Sequence, residues 1–105
     1  MAYFLATETH GPTWNPALPR REQAGFAEHA ALMDAWVADG TILLGGPLGA
    51  DVDAGDVLLV VRGTDEDDVR RTLAADHWVG TVLTVSAVQR WSLWLLPPGL
   101  TPGQP

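Results

Sequence analysis

Apolar and polar positions in the N-terminal part of the chain predict a strand, a loop and then a helix. Residues 2–8 have the length and the β-forming side chains of a strand. Residues 9–19 contain Gly11 and three prolines, which exclude a continuous helix and predict a loop. Residues 20–39 contain no proline and repeat apolar side chains at helical spacing as far as Gly40, so they predict a helix. Its stripe consists of Phe26, His29, Ala30, Met33, Trp36 and Val37.

The middle of the chain predicts two strands joined by a long loop. Residues 41–44 are a short β-prone run that Gly45-Gly46-Pro47 ends, and residues 48–56 are rich in turn-forming and acidic side chains. Residues 57–61 are apolar at every position, which is typical of a strand buried on both faces. We therefore expect a hairpin here.

A second helix and a last strand follow. Thr64 and Asp67 have the spacing of a capping pair for a weakly amphipathic helix that ends near residue 75. After a short break, residues 81–94 return to a β-rich pattern. The prolines of residues 95–105 then predict the end of ordered structure.

The order of these elements indicates an α+β domain of ferredoxin-like βαββαβ type, in which an antiparallel sheet carries two helices on one face. The other face would expose the apolar run Leu58-Leu59-Val60-Val61, and such a surface is rare on monomers. We therefore predict one domain over residues 1–94, a Pro-rich C-terminal tail over residues 95–105, and a homodimer that packs sheet against sheet.

Composition excludes several classes of function. The 105 residues are 47% hydrophobic, which is enough for one packed core, and the net charge is -7. All six basic residues are arginines and they are scattered, so no nucleic-acid partner is predicted. The chain has no cysteine, and its N-terminal residues form neither a basic segment nor a long apolar one. We therefore expect a cytoplasmic protein with no membrane partner.

His29 is the strongest candidate for chemistry, because it is an ionisable side chain within an apolar helix stripe and needs a partner when folding removes its water. Asp76 is the second candidate. At the break after the second helix, its carboxylate can turn back toward the first helix and fix the imidazole tautomer that a general base needs. The alternatives are a core histidine bonded to a backbone carbonyl and a solvated aspartate at a helix end. Spacing alone does not join the two residues.

Aromatic side chains predict a pocket for a small molecule. Trp14 and Trp78 lie outside the predicted helices, where packing explains an aromatic ring less readily than in a helix stripe. We predict that these two residues bind substrate, together with Phe26 of the helix and with His77 beside the candidate aspartate.

No cofactor is predicted. His10, His29 and His77 have no spacing typical of metal ligands, even with Asp76 added, so the sequence predicts no metal site. The glycine-rich run over residues 45–49 lacks a following lysine and a following helix, which excludes a phosphate-binding loop.

Three local features together resemble the YciI-like (YCII-related) family. They are His29 in the first helix, Gly46-Pro47 after the next strand, and the break Ala74-Ala75-Asp76-His77-Trp78, and the resemblance spans residues 2–91. It implies a dimeric α+β barrel with a catalytic pair formed by His29 and Asp76. The family usually places a proline and then Phe or Tyr after the aspartate, whereas this chain has His77 and Trp78, which removes a rigid turn.

Family members include a dehydrochlorinase that acts on a chlorinated hydroxyquinol, so the resemblance implies an enzyme of lyase or isomerase type. We expect His29, oriented by Asp76, to act as a general acid/base in elimination, isomerisation or hydration of a small, aromatic or polyketide-like substrate. Two alternatives stay open. One is a non-catalytic ligand-binding or accessory dimer, and the other is an activity like that of the cofactor-free monooxygenases of related barrels.

Overall fold

A computed structural model of the chain describes residues 1–100. Within these residues, four strands and two helices follow one another in the predicted order. They are β1 (Ala2–His10), α1 (Phe26–Asp39), β2 (Ile42–Pro47), β3 (Val57–Gly63), α2 (Glu66–Leu73) and β4 (Leu83–Arg90). A 3₁₀ turn at Arg20–Glu22 precedes α1.

The four strands form one antiparallel sheet in the order β2-β3-β1-β4. β1 lies in the interior of the sheet and pairs with β3 on one side and with β4 on the other. The pairing with β4 shifts register between Thr7 and Glu8, and the pairing of β2 with β3 shifts between Ile42 and Leu44. This arrangement confirms the predicted ferredoxin-like α+β fold.

Both helices pack on the same face of the sheet. Phe4 and Ala6 share a side of β1, because alternate residues of a strand point the same way, and both are buried in the core. The core also contains side chains of β3, of both helices and of β4: Leu59, Val61, Trp36, Val69, Leu73 and Val88. On the opposite face, Leu44 of β2 is 48% exposed.

The first helix begins later than the sequence predicts. The expected range of residues 20–39 divides into the 3₁₀ turn, an extended Gln23 and then α1. Gly25 separates them because its φ is +77°, a left-handed conformation that ends helical geometry and that glycine adopts at little cost. Residues 20–25 therefore lie outside α1, and the side chains of Arg20 and Gln23 contact the loops and the cavity instead.

Other boundaries differ by one to four residues. Gly45-Gly46-Pro47 do not end β2 but complete it, and Pro47 is tolerated because β2 is an edge strand. The cap of α2 is Asp65 rather than Thr64: its side chain accepts a hydrogen bond from the Asp68 amide, and the Asp68 carboxylate accepts one from the Thr64 amide.

The last strand ends at Arg90, four residues before the predicted limit. Residues 91–100 contain no helix or strand, and Trp94 and Leu95 are 86% and 97% exposed. The remaining residues of the predicted tail, 101–105, lie outside the described part of the chain. The division into residues 1–94 and 95–105 stays a prediction.

Candidate functional site

His29 and Asp76 meet in the interior, although 47 positions separate them in the chain. The imidazole Nδ1 lies 2.6 Å from Asp76 Oδ2, and both residues are buried. His29 projects from the first turn of α1, and Asp76 lies in the turn that follows α2. The two residues meet because both helices pack on the same face of the sheet.

The backbone around Asp76 fixes the direction of its carboxylate. Asp76 Oδ1 accepts a hydrogen bond of 3.0 Å from the Trp78 amide, and the Asp76 amide donates to the Leu73 carbonyl. This leaves Oδ2 for the imidazole. A carboxylate only accepts, so Nδ1 is the protonated nitrogen and Nε2 carries the free lone pair of the neutral ring. Among the described residues, Asp76 is the hydrogen-bond partner of the His29 side chain.

Trp78 holds the imidazole from the side. Its ring stacks on His29 with centroids 4.0 Å apart and an angle of 10° between the planes. The indole N–H donates to the Ala24 carbonyl at 2.8 Å, which anchors the ring to the residues before α1. Trp78 is fully buried, and Phe26 packs against it at 5.8 Å. Trp78 thus restricts His29 to one orientation, and its contact with a substrate stays a prediction.

His29 lines a cavity of about 280 Å³ between α1 and strands β1, β2 and β3. Most of the wall is apolar, and Asp34 lies at the edge of the cavity on the exposed side of α1. Two further polar side chains, Glu8 and Arg20, complete the wall. The apolar side chains of the wall are those of Met33, Val37, Ile42, Pro47, Val57 and Leu59.

Glu8 is a buried carboxyl group in this wall. It is 1% exposed, and its Oε2 has no hydrogen-bond partner among the described residues. The pKa of Glu8 is raised from its ordinary value of 4.5 to about 7, mainly by burial and also by the charge of Asp76, while the charge of Arg20 opposes the rise. Glu8 therefore holds a proton up to neutral pH.

Arg20 reaches the cavity from the 3₁₀ turn before α1. Its Nε donates to the Val52 carbonyl at 3.3 Å, and its Nη2 donates to the Gly55 carbonyl. Nη1 is buried and has no partner among the described residues. Burial lowers the pKa of Arg20 from its ordinary value, while neighbouring carboxylates, chiefly Asp53, oppose this change. The guanidinium thus ties the β2–β3 loop in place and keeps one N–H group free.

Trp14 lies behind Arg20 rather than in the wall. The Arg20 guanidinium is 5.4 Å from the centre of the Trp14 ring, and His10 stacks on that ring at 3.9 Å. The imidazole Nε2 of His10 lies 2.7 Å from the Ala54 carbonyl. Trp14 therefore supports the cationic residue that borders the cavity, and its direct contact with a substrate stays a prediction.

His77 and Phe26 both lie near the buried pair. The His77 side chain is 48% exposed, with Nε2 3.7 Å from Glu28 and Nδ1 3.9 Å from Asp76 Oδ1. Phe26 is partly buried, and the centroid of its ring is 6.3 Å from that of the His29 ring. Substrate binding by these residues also stays a prediction.

Glu8 and Arg20 are the site residues that sequence reasoning missed. Glu8 could have been found, because it shares a side of β1 with the apolar Phe4 and Ala6. Arg20 carries no such signal, because its position follows from contacts with a loop more than thirty residues away.

Comparisons with protein-family models, with curated proteins and with solved structures find no match to this chain. In residues 1–100, no group of three or more His, Cys, Asp or Glu side chains is arranged to hold a metal ion. The helices of the same residues include none that is long and apolar enough to cross a membrane.

Proposed function

We propose that this chain is an enzyme of YciI-like type in which His29 transfers protons to and from a small molecule bound in the cavity. The observation that carries the proposal is the 2.6 Å contact between His29 Nδ1 and Asp76 Oδ2 beside a cavity of about 280 Å³. The reaction class is elimination, isomerisation or hydration, because each of these needs a base that later returns the proton as an acid.

The pair supports this chemistry through its tautomer. Asp76 accepts the Nδ1 proton, so Nε2 has the lone pair that removes a proton from substrate. The imidazolium that forms then lies next to a buried carboxylate, which stabilises its charge until the proton returns. Trp78 keeps the ring plane fixed during both transfers.

The cavity favours a small and largely apolar substrate. Its volume of about 280 Å³ is below the usual range for drug-sized ligands. Six of its wall residues are apolar, which suits a ring compound that has few polar groups. An aromatic or polyketide-like ring with one or two oxygens fits this description.

A homodimer is part of the same proposal. Three apolar residues form a row across the sheet face that carries no helix. Val60 of β3 pairs with Leu44 of β2 on one side and with Leu5 of β1 on the other. This row is apolar and Leu44 is half-exposed. A second copy packed on this face would cover it, as the dimeric α+β barrel requires.

Base-catalysed ring opening of nitrobenzisoxazole tests the proposal without knowledge of the natural substrate. A base removes the proton from the carbon beside the ring nitrogen, the C–H electron pair completes a nitrile, and the N–O bond breaks to release a coloured phenolate. We expect the purified protein to exceed free imidazole by about a hundredfold or more, because a positioned base contributes at least that factor. His29→Gln should lose this advantage, and Asp76→Asn should lose most of it.

His10→Gln is the matched control, because it removes an imidazole outside the cavity wall and retains a donor for the Ala54 carbonyl. It should keep the wild-type rate. A wild-type protein no faster than imidazole, or a His29→Gln variant as fast as wild type, would contradict the proposal and favour a binding protein without turnover.

A further inference from the structure

We propose that Glu8 is a second catalytic residue, which gives a proton to a carbonyl oxygen of the substrate while His29 removes a proton from the adjacent carbon. The substrate class is then a small ketone that reacts through its enol, with the oxygen held near Arg20. This inference deepens the proposed function and rests on it.

The first support is the position of Glu8. It lines the same cavity as His29, and the two side chains come from different elements, β1 and α1, that form two walls of it. Glu8 is 1% exposed, and its Oε2 lacks a hydrogen-bond partner in residues 1–100. An unpartnered carboxyl oxygen is costly to bury, so its retention in a mostly apolar wall points to a partner supplied by a ligand.

The second support is the free N–H group of Arg20. Two nitrogens of the guanidinium donate to the carbonyls of Val52 and Gly55. Nη1 is buried and has no hydrogen-bond partner in the part of the chain that the structure describes. A neutral acid and a cation with a free donor together suit an oxygen that becomes negatively charged during reaction. The apolar remainder of the wall suits the carbon skeleton.

The step is balanced without a further reactant. His29 Nε2 takes a proton from the carbon next to the carbonyl, and the C–H electron pair forms a carbon–carbon double bond. The carbonyl π electrons move to oxygen, which takes the proton of Glu8. In the reverse direction Glu8 recovers this proton and His29 returns its own to carbon, at the same or a conjugated position. No oxidant or reductant is consumed.

Protonated Glu8 is available at neutral pH. The groups that act on it are Asp76 after α2 and Arg20 before α1, and His29 and Asp34 of α1 share its cavity. Burial is the largest cause of its raised pKa, which is about 7. The acid therefore loses its proton, and its role, as the pH rises through neutrality.

Hydrogen–deuterium exchange in β-tetralone tests the inference. This bicyclic ketone is mixed with the protein in deuterated buffer, and the loss of its α-proton signals is followed by NMR. Glu8→Gln keeps the shape of the neutral acid but donates no transferable proton, so exchange should slow by about a hundredfold. The fold decrease that Glu8→Gln causes in the exchange rate should be at least about tenfold larger than the decrease it causes in nitrobenzisoxazole ring opening. The phenolate that this second probe releases needs no proton. Glu22→Gln, an exposed carboxyl nearby, should match wild type.

The pH profile provides a second measurement on the wild-type protein alone. Exchange should decline above about pH 7, and Glu8→Gln should lack this limb. If Glu8→Gln exchanges β-tetralone as fast as wild type, or loses both activities equally, the inference is wrong. The proposed function fails separately, when His29→Gln retains both activities.

Discussion

At the scale of single residues, Glu8 couples the site to stability. The unfolded chain releases the Glu8 proton near pH 4.5, whereas the folded protein keeps it to about pH 7. The contribution of this group to stability is therefore complete below pH 4.5 and is lost as the pH rises through about 7. A pKa difference of this size corresponds to about 3 kcal/mol in the free energy of unfolding.

We predict that Glu8→Gln removes this pH dependence. The glutamine stays neutral. Between about pH 5 and about pH 8, the free energy of unfolding of the variant should therefore rise relative to that of wild type by up to about 3 kcal/mol. Urea unfolding of both proteins at the two pH values measures the gain. The free energy of unfolding of Glu22→Gln should decline with rising pH in parallel with that of wild type. A constant difference between Glu8→Gln and wild type across this range would show that Glu8 ionises normally.

The sequence contained part of the site at this scale. His29 could be found because helical spacing places it among apolar side chains. Its contact with Asp76 could not be derived from spacing, because 47 residues and the packing of two helices separate the pair. The break after the second helix allowed the contact, and the resemblance to YciI-like proteins implied the pair. Glu8 was overlooked because one carboxylate at a strand end is usually solvated, and burial depends on what covers the strand.

At the scale of elements, Gln23 organises the Pro-rich loop before α1. Its side chain is 4% exposed and makes three hydrogen bonds to loop backbone. Nε2 donates to the carbonyls of Asn15 and Leu18, and Oε1 accepts from the Asn15 amide. The same loop carries Trp14, on which Arg20 packs. By holding this loop in place, Gln23 also holds Trp14 against Arg20 in the wall of the cavity.

We predict that Gln23→Leu keeps the fold but loosens this loop. The leucine fills the space and leaves three backbone groups without their partner, which should lower the free energy of unfolding by about 1 to 3 kcal/mol. Hydrogen exchange should accelerate at the Asn15 amide, which loses its acceptor, and remain slow at the Phe4 amide in the sheet. Gln23→Glu retains the acceptor for the Asn15 amide, so exchange at this amide should be slower than in Gln23→Leu. Unchanged exchange at Asn15 would contradict this role.

Element boundaries were less predictable than element types. Residues 20–39 contain no proline, so the sequence predicts a helix that begins at residue 20. The helix begins at Phe26 instead. Gly25 before it has a left-handed conformation, and Gln23 is buried and hydrogen-bonded to the preceding loop; both features depend on tertiary contacts. In β2, by contrast, glycine and proline suggested an end that edge pairing with β3 overrides.

At the scale of the whole molecule, the order of elements sufficed to predict the fold. Each change from alternating to helical spacing marks one element, and few architectures accommodate this order in one short chain. The cavity was not predictable in this way. It forms where α1, the 3₁₀ turn before it and strands β1, β2 and β3 meet, so its wall combines residues from distant parts of the sequence.

The apolar surface that remains exposed leads to a prediction about assembly. Leu44 lies on the sheet face opposite the helices and is 48% exposed. Beyond β4, Trp91, Trp94 and Leu95 are exposed as well. A second copy packed on the sheet face would cover Leu44 and remove apolar surface from water. We therefore expect sedimentation equilibrium to give twice the chain mass of 11.2 kDa.

Leu44→Arg should convert the dimer to a monomer, because a charge on a sheet face packed against a second copy would be buried without a partner. Leu48→Arg is the matched control: Leu48 is also 48% exposed but lies in the β2–β3 loop, outside the sheet, and its variant should remain dimeric. Circular dichroism of both variants verifies that the fold persists. A wild-type protein that sediments as a monomer at every concentration would rule out the sheet-to-sheet dimer, and with it the barrel, while leaving the His29 site of each chain intact.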